Sequence, residues 1–383
     1  MRSSLKNKLA VPASLINSSP NNFDVLRFVL AVLVIFSHCY VICYGKLADV
    51  EPGMIFTRNQ TDLGGIAVDF FFIISGFLIL QSFMRSETKG QYFKKRFLRI
   101  YPGYFVAFII SILIIGPLGT AYDHSVASVH YYFQTIPKKR LLLNLLTLQK
   151  PIGGTTFTWL PLPGMLNESL WTIEYEFFCY LLFPIFLFRK AMRGKRIITL
   201  LFLLTYCMVV IQHFYPALIT ENKFPTLLLY VIDPVILPRL MIYFFAGACF
   251  YLYREKIRRS NLLALFALIS IWVACREIQA LELILPVAGS YLLFYVAYHP
   301  QIKLSSFAKK GDLSYGMYLY AWPIQQLLWY ALYKHMSPLR LFVLAVPLTY
   351  MAAWLSWHYI EKFFLSFKHQ QAKEVVVDVQ GGN

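Results

Sequence analysis

Ten apolar stretches, each near the length that crosses a bilayer as a helix, recur along this chain with short polar connections between them. They lie at 24–44, 66–84, 100–117, 169–188, 196–214, 235–253, 261–276, 279–298, 313–333 and 339–360. About twenty apolar residues are needed to span the hydrocarbon core as an α-helix, and backbone exposed to lipid must satisfy its own hydrogen bonds. The pattern therefore predicts an all-α polytopic membrane protein of about ten transmembrane helices. Composition agrees. The 383 residues are 58% hydrophobic and 14% charged, with a mean hydropathy of +0.55, against roughly 25% charged in soluble domains. A disordered chain, a coiled coil and a disulfide-stapled secreted module are excluded.

The net charge of +17 is a statement about topology. Of the 36 Lys and Arg residues, 24 fall in the set of connections that includes both tails and 10 in the alternate set; Arg27 and Arg239 lie inside spans. The positive-inside rule then places both termini in the cytoplasm, and no nucleic-acid partner is expected. The expected organisation is a cytoplasmic tail at 1–23, a membrane domain at 24–362 and a second cytoplasmic tail, short and disordered, at 363–383. The first apolar run is too long for a signal-peptide core. The connection from Leu118 to Glu168 holds an apolar patch, Leu141 to Leu148, that reads as interfacial or re-entrant, and a PLPG turn signal at Pro161–Gly164. A second short apolar segment runs from Phe224 to Pro234. The six cysteines lack metal-site spacing and read as small packing residues. No metal site is expected.

Ionisable residues inside spans cost about 2.5–3.5 kcal/mol each on insertion scales, so each asks for a reason. Arg27 and His38 are eleven residues apart on the first span. At ~100° per residue they return to within about 20° of one face, ~16 Å apart along the axis. Asp69, at the outer end of the second span, and Glu174 and Glu176, in the first turns of the fourth, fall near the depth of His38. Arg96 and Arg99, at the start of the third span, fall near the depth of Arg27. Two poles result, a basic one inside and a His/carboxylate one outside. Each residue also has a plainer reading. The arginines can anchor topology, Asp69 can cap its helix after Gly64–Gly65, Glu174 can face an aqueous entrance, and His38 can be a packing histidine.

Six segments in this order resemble the acyltransferase-3 family of membrane acyltransferases. They are NNFDVLRFVLAVLVIFSH with its Arg27-x10-His38, GIAVDFFFIISGFLI (Gly65 to Ile79), KKRFLRIYPGY (Lys94 to Tyr104), LPGMLNESLWTIEYEFFCYL (Leu162 to Leu181), GDLSYGMYLYAWPI (Gly311 to Ile324) and SWHYIEKFF (Ser356 to Phe364). Glu176 and Tyr180 fall on motif positions, whereas Glu174 falls on a variable one. Ala321 stands where many members have His, and Phe363 where many have Pro. The resemblance implies transfer of an acyl group, acetyl as a rule, from cytoplasmic acyl-CoA to a hydroxyl of an extracytoplasmic or lipid-linked glycan. It is closest in pattern to bacterial surface-polysaccharide O-acetyltransferases, which implies an inner-membrane location.

Within that reading Arg27, Arg96 and Arg99 are the candidates to hold the donor's phosphates. His38 is the candidate general base, with Glu176 or Asp69 orienting its ring. No Gly-x-Ser-x-Gly elbow, HExxH, P-loop or Rossmann glycine fingerprint occurs. A secondary transporter or exporter of a lipid-linked glycan or small anion is the alternative, since intramembrane Arg, His and carboxylates serve there too. Against it, the chain lacks paired broken segments in two matching halves.

Overall fold

The computed structural model describes residues 22–121, 126–154, 156–158, 160–187, 193–217, 233–299, 301, 311–332 and 336–367. Most of both tails (1–21 and 368–383), and most of the segment Phe224 to Pro234, lie outside the described residues. Among those described the chain is all-helical, with one isolated bridge between Ile152 and Met165 and no strand.

The helices are α1 (Phe23–Tyr44), α2 (Pro52–Thr57), α3 (Leu63–Arg85), α4 (Lys89–Ile110), α5 (Gly116–Ala121), α6 (Val126–Thr135), α7 (Lys138–Leu146), α8 (Ile173–Phe186), α9 (Arg193–Phe214), α10 (Ile236–Tyr253), α11 (Asn261–Arg276), α12 (Leu281–Ala297), α13 (Ser314–Ala331) and α14 (Pro338–Ser356). Each of the ten apolar stretches is helical over most of its described residues. Six helical runs are long and apolar enough to cross a membrane: Phe23–Tyr44, Leu63–Arg85, Lys89–Thr120, Gly194–Phe214, Ile236–Tyr253 and Pro338–Phe367. Helices α11 and α12 are apolar but shorter. The chain is an integral membrane protein, and its unpartnered apolar faces fit that solvent: Leu262, Leu265, Phe266, Ile269 and Trp272 of α11 are all exposed.

Several boundaries differ from the hydropathy reading. Helix α4 starts at Lys89, capped by the Thr88 hydroxyl accepting from Gln91 N at 3.1 Å. Its first turns are basic and amphipathic, so an apolar window misses them, and Arg96 and Arg99 sit well inside the helix. The helix then runs on through a π-turn, Ser111–Ile115, into α5. The fourth stretch opens as a 3-10 segment, Glu168–Thr172, before α8. Helix α7 covers most of the apolar patch, with Leu142, Leu143 and Leu146 exposed and Leu141 and Asn144 buried, as an interfacial helix requires. PLPG forms a turn, with Gly164 at φ +74°.

The chain divides into two compact units. The first comprises residues 1–30, 49–85 and 175–310. Its centre is the α3–α10 pair, which packs backbone to backbone. A Cβ on Gly76 would lie 1.8 Å from the Phe244 carbonyl oxygen, and one on Gly247 would lie 1.9 Å from that of Ile73. Small residues that let helices approach closely are the usual means of association in lipid, where the hydrophobic effect no longer separates helix from solvent. At one end Phe23 packs on Phe77, Phe294 and Tyr298, with ring centroids 5.6, 5.9 and 5.6 Å away. At the other end the buried Glu51 accepts from Met54 N at 2.9 Å and Leu63 N at 3.2 Å, capping α2 and fixing the start of α3. Burial lifts its carboxyl above the usual range. Gln60 ties the same end together through Thr57 O, Ala274 O, Cys275 O and Leu281 N.

The second unit comprises residues 31–48, 86–174 and 311–383. Helices α13 and α14 pack along each other where Gly316 meets Ala353, 2.8 Å from an added Cβ to the Ala353 Cα. Gly103 of α4 gives way to Tyr315 and Leu319 of α13. Tyr104 hooks the following loops to α4 by donating to the carbonyls of Asn144 and Gln149, at 2.9 and 2.7 Å.

Candidate active site

In the second unit, His38 lies on α1, which is helical without interruption from Arg27 past His38. Its ring meets Trp322 of α13 edge to face, with centroids 4.9 Å apart. Trp322 is itself locked, its indole N–H donating to Gln326 Oε1 at 2.9 Å. Gln325 reaches the other way, donating from Nε2 to the Ile35 carbonyl at 2.7 Å and lying 2.9 Å from Cys39 Sγ. One turn of α13 thus fixes the turn of α1 that carries the histidine. The sequence drew attention to Ala321 as a missing histidine; the residues that reach α1 are its neighbours Trp322 and Gln325. Two fully buried polar atoms beside them, Ser37 Oγ and Gln325 Oε1, have no hydrogen-bond partner among the described residues.

Arg96 and Arg99 are one turn apart on α4, both half-buried. Arg99 is held by two carboxylates from distant parts of the sequence: Asp312, just before α13, and Glu361 in the π-turn after α14, at 3.2 Å. It also lies over the Tyr315 ring at 5.4 Å. Glu361 is 2% exposed. The Gly311 and Trp357 neighbourhood closes the same joint, the glycine standing at φ +100° against the indole. Motif residues that the sequence places in separate segments, Arg99, Asp312 and Glu361, therefore form one ion cluster. Glu174 is half-buried, with Oε2 buried and lacking a partner among the described residues.

In the first unit, Glu176 accepts from Ser75 of α3 at 2.8 Å and from Tyr180 one turn along α8. Both bonds end on Oε1. The motif spacing Glu-x-x-x-Tyr is thus an i,i+4 hydrogen bond, and Ser75, in the Gly65 to Ile79 motif, is its second arm. Asp69 is 2% exposed and takes both its carboxylate bonds from Arg239 Nη2, at 3.2 Å each. It does not cap α3; Asp62 does, accepting from Gly65 N at 2.5 Å. Arg239 was visible in the sequence as a charge inside a span, but its partner lies 170 positions away. Arg27 sits one turn after Phe23 on α1. The rings that Phe23 touches, Phe77, Phe294 and Tyr298, line a shallow depression of about 40 Å³ together with Arg254, Arg258 and Arg259.

The acyltransferase-domain family matches residues 21–358 of this chain, nearly all of it, and the chain belongs to that family. An O-acetyl transferase of Shigella phage Sf6 is 27% identical over 353 residues, covering 90% of this chain and 96% of its own length. Nodulation protein 10 of Rhizobium leguminosarum bv. viciae is 29% identical, covering 78% of this chain and 81% of its own. The acyltransferase MdmB of Streptomyces mycarofaciens is 29% identical over a shorter part, 40% of this chain and 36% of its own. No solved structure matches.

Proposed function

With membership of the acyltransferase family as premise, we propose that this protein, an integral membrane acyltransferase, moves an acetyl group from cytoplasmic acyl-CoA to a hydroxyl of an extracytoplasmic or lipid-linked glycan. We place it in a bacterial inner membrane, with ten crossings and both termini inside. The observation that carries the reading is a family match over nearly the whole chain together with His38, an ionisable side chain within a membrane span, whose turn of α1 is clamped by Trp322 and Gln325. The name of the phage relative supports acetyl as the acyl group and oxygen as the acceptor atom.

In the proposed reaction the His38 imidazole takes the proton of the acceptor hydroxyl as its oxygen attacks the thioester carbonyl. The tetrahedral oxyanion collapses, the C–S bond breaks, and the imidazolium returns the proton to the departing thiolate. A general base of this kind contributes about 10²–10⁴-fold. Glu176 is the preferred carboxylate to steady the imidazolium. Ser75 and Tyr180 both bond its Oε1, which leaves Oε2 able to accept from a further donor. Asp69 is the weaker candidate, since Arg239 already occupies both of its oxygens.

The donor is polyanionic, and Arg27, Arg96 and Arg99 are its proposed ligands. Arg99 enters that role already bound to two carboxylates, so its larger contribution is to hold α4 in place. Arg27 lies one turn from Phe23, whose ring packs on Phe77, Phe294 and Tyr298; these rings with Arg254, Arg258 and Arg259 line a depression whose mix of cations and rings suits a nucleotide head group.

The test uses membrane vesicles from cells with and without the protein, supplied with acetyl-CoA labelled in the acetyl group. Label recovered as base-labile ester on the glycan fraction supports the reading. Absence of ester label sinks it, and glycan movement without label returns the transporter alternative.

A further inference from the structure

A polar cavity in the first unit lies beside Asp69 and contains none of the residues preferred for the chemistry just described. It holds about 230 Å³, far above the roughly 10–15 Å³ that one water needs. Its walls come from one end of the unit: Thr61 before α3, Asp69 on α3, His213 at the end of α9, Arg239 and Tyr243 on α10, and Glu282 on α12. Leu281 and Leu285 give it an apolar side.

Both carboxylates in this cavity already have partners. Arg239 is paired with Asp69 at 3.2 Å, and His213 Nδ1 lies 2.7 Å from Glu282 Oε1. An anion would meet two carboxylates beside a single arginine, and a metal ion would have to displace a hydrogen-bonding partner from each carboxylate. What the walls do present is a dense set of donors and acceptors in fixed directions. Arg239 directs Nη2 at Asp69, and its side chain is 36% exposed where that of Asp69 is 3%, so the rest of the guanidinium edge faces the space. Glu282, 41% exposed, has a second oxygen beyond the one held by His213. Paired charges over an apolar wall suit a neutral ligand with many hydroxyls. Its O–H groups donate to carboxylates and accept from guanidinium, while its C–H face lies on leucine and tyrosine. The volume is ample for one sugar ring.

We infer that this cavity binds one sugar ring of the acceptor. That the ring belongs to an acceptor rests on the proposed O-acylation; that the cavity takes a sugar does not.

The experiment separates the two. Thr61 lines the cavity, and its side chain makes one long bond to the Asp62 carbonyl, at 3.4 Å, so Thr61→Cys preserves the fold. The full-length variant in right-side-out vesicles is labelled with a membrane-impermeant maleimide, with the parent protein as background. Methyl glycosides of common hexoses and deoxyhexoses are the probes, and inorganic phosphate and a neutral diol are the controls. A ligand at ten times its dissociation constant slows labelling about tenfold. We expect that protection from at least one glycoside and from neither control. We expect Glu282→Gln and His213→Phe, each added to Thr61→Cys, to remove the protection without lowering the melting temperature. Labelling from the inside only, equal protection by phosphate, or no protection by any glycoside overturns the inference. Protection in a protein that transfers no acetyl label leaves the sugar site standing and overturns the proposed function instead.

Discussion

Replacing Arg99 with alanine separates two roles for the most tightly held arginine in the second unit. The residue bonds Asp312 and Glu361, with side-chain exposures of 18% for Arg99, 17% for Asp312 and 2% for Glu361. Removing one partner of a buried pair costs about 3–5 kcal/mol, because the remaining charge stays buried without compensation. Glu361 keeps the hydrogen bond from the Ser356 hydroxyl, at 3.2 Å, but loses its bond to the guanidinium. At about 1.4 kcal/mol per tenfold, the lower figure shifts the folding equilibrium more than a hundredfold. The buried thiol of Cys39, 0% exposed, supplies the assay: its reaction with a thiol-sensitive dye during heating reports opening of this unit in detergent. Arg99→Ala should melt well below the wild type. The triple variant Arg99→Ala, Asp312→Asn, Glu361→Gln should recover most of the loss, since no unpaired charge remains. A wild-type melting temperature for Arg99→Ala, accompanied by a raised KM for acetyl-CoA, would refute the structural role and leave Arg99 as a phosphate ligand alone.

Four further outcomes are expected. His38→Ala should lose about 10²–10⁴-fold in acetyl transfer at unchanged melting temperature, measured with labelled acetyl-CoA; near-normal turnover would return His38 to a packing role. Glu176→Gln should lower kcat with little change in donor KM. The His38→Ala, Glu176→Gln double variant should be scarcely worse than His38→Ala, because groups acting as one unit are not additive; multiplying losses would separate them. Gly76→Ala should destabilise by about 1–3 kcal/mol through overpacking, since its methyl would meet the Phe244 carbonyl at 1.8 Å and backbone cannot rotate away; a neutral result in thermal unfolding would show that the α3–α10 contact is loose. Arg27→Ala should raise the donor KM roughly tenfold, the loss of one charge-assisted phosphate contact, and Arg27→Lys should recover part of it; an unchanged KM for both would make Arg27 a topology anchor.

The helices were legible because each span must bury its own backbone hydrogen bonds in a run of apolar residues, and that requirement is local. The ends were less so. Helix α4 begins with Lys89 and carries Gln91, Lys94, Lys95 and Arg96 in its first turns, a stretch that hydropathy reads as a connection although Thr88 caps it as a helix. Within one helix the sequence also conveyed side-chain relations. Glu176 to Tyr180 is one turn, and Arg27 to His38 is three. Relations between helices were beyond it. Ser75 and Glu176 are 101 positions apart, Arg99 and Glu361 262, and Asp69 and Arg239 170. In each case a polar group had been noted on one or both sides, but periodicity cannot say which helices become neighbours.

That limit also explains why Asp69 looked like a member of the catalytic set. Hydropathy gives an expected depth for each residue, and it puts Asp69, Glu176 and His38 at the same expected level. Depth does not distinguish a carboxylate whose oxygens are both taken from one with an oxygen to spare. Arg239 takes both oxygens of Asp69, while both donors to Glu176 converge on a single atom. The second case leaves a negative charge able to answer a developing positive one, which is what stabilising an imidazolium requires. The first places a neutralised pair in the wall of a polar cavity, where its value lies in direction and not in charge. Two acids that the sequence puts at one level thus have different surroundings, and for that reason we propose Glu176 for the proton-transfer step and Asp69 for holding Arg239 toward the hydroxyls of a sugar.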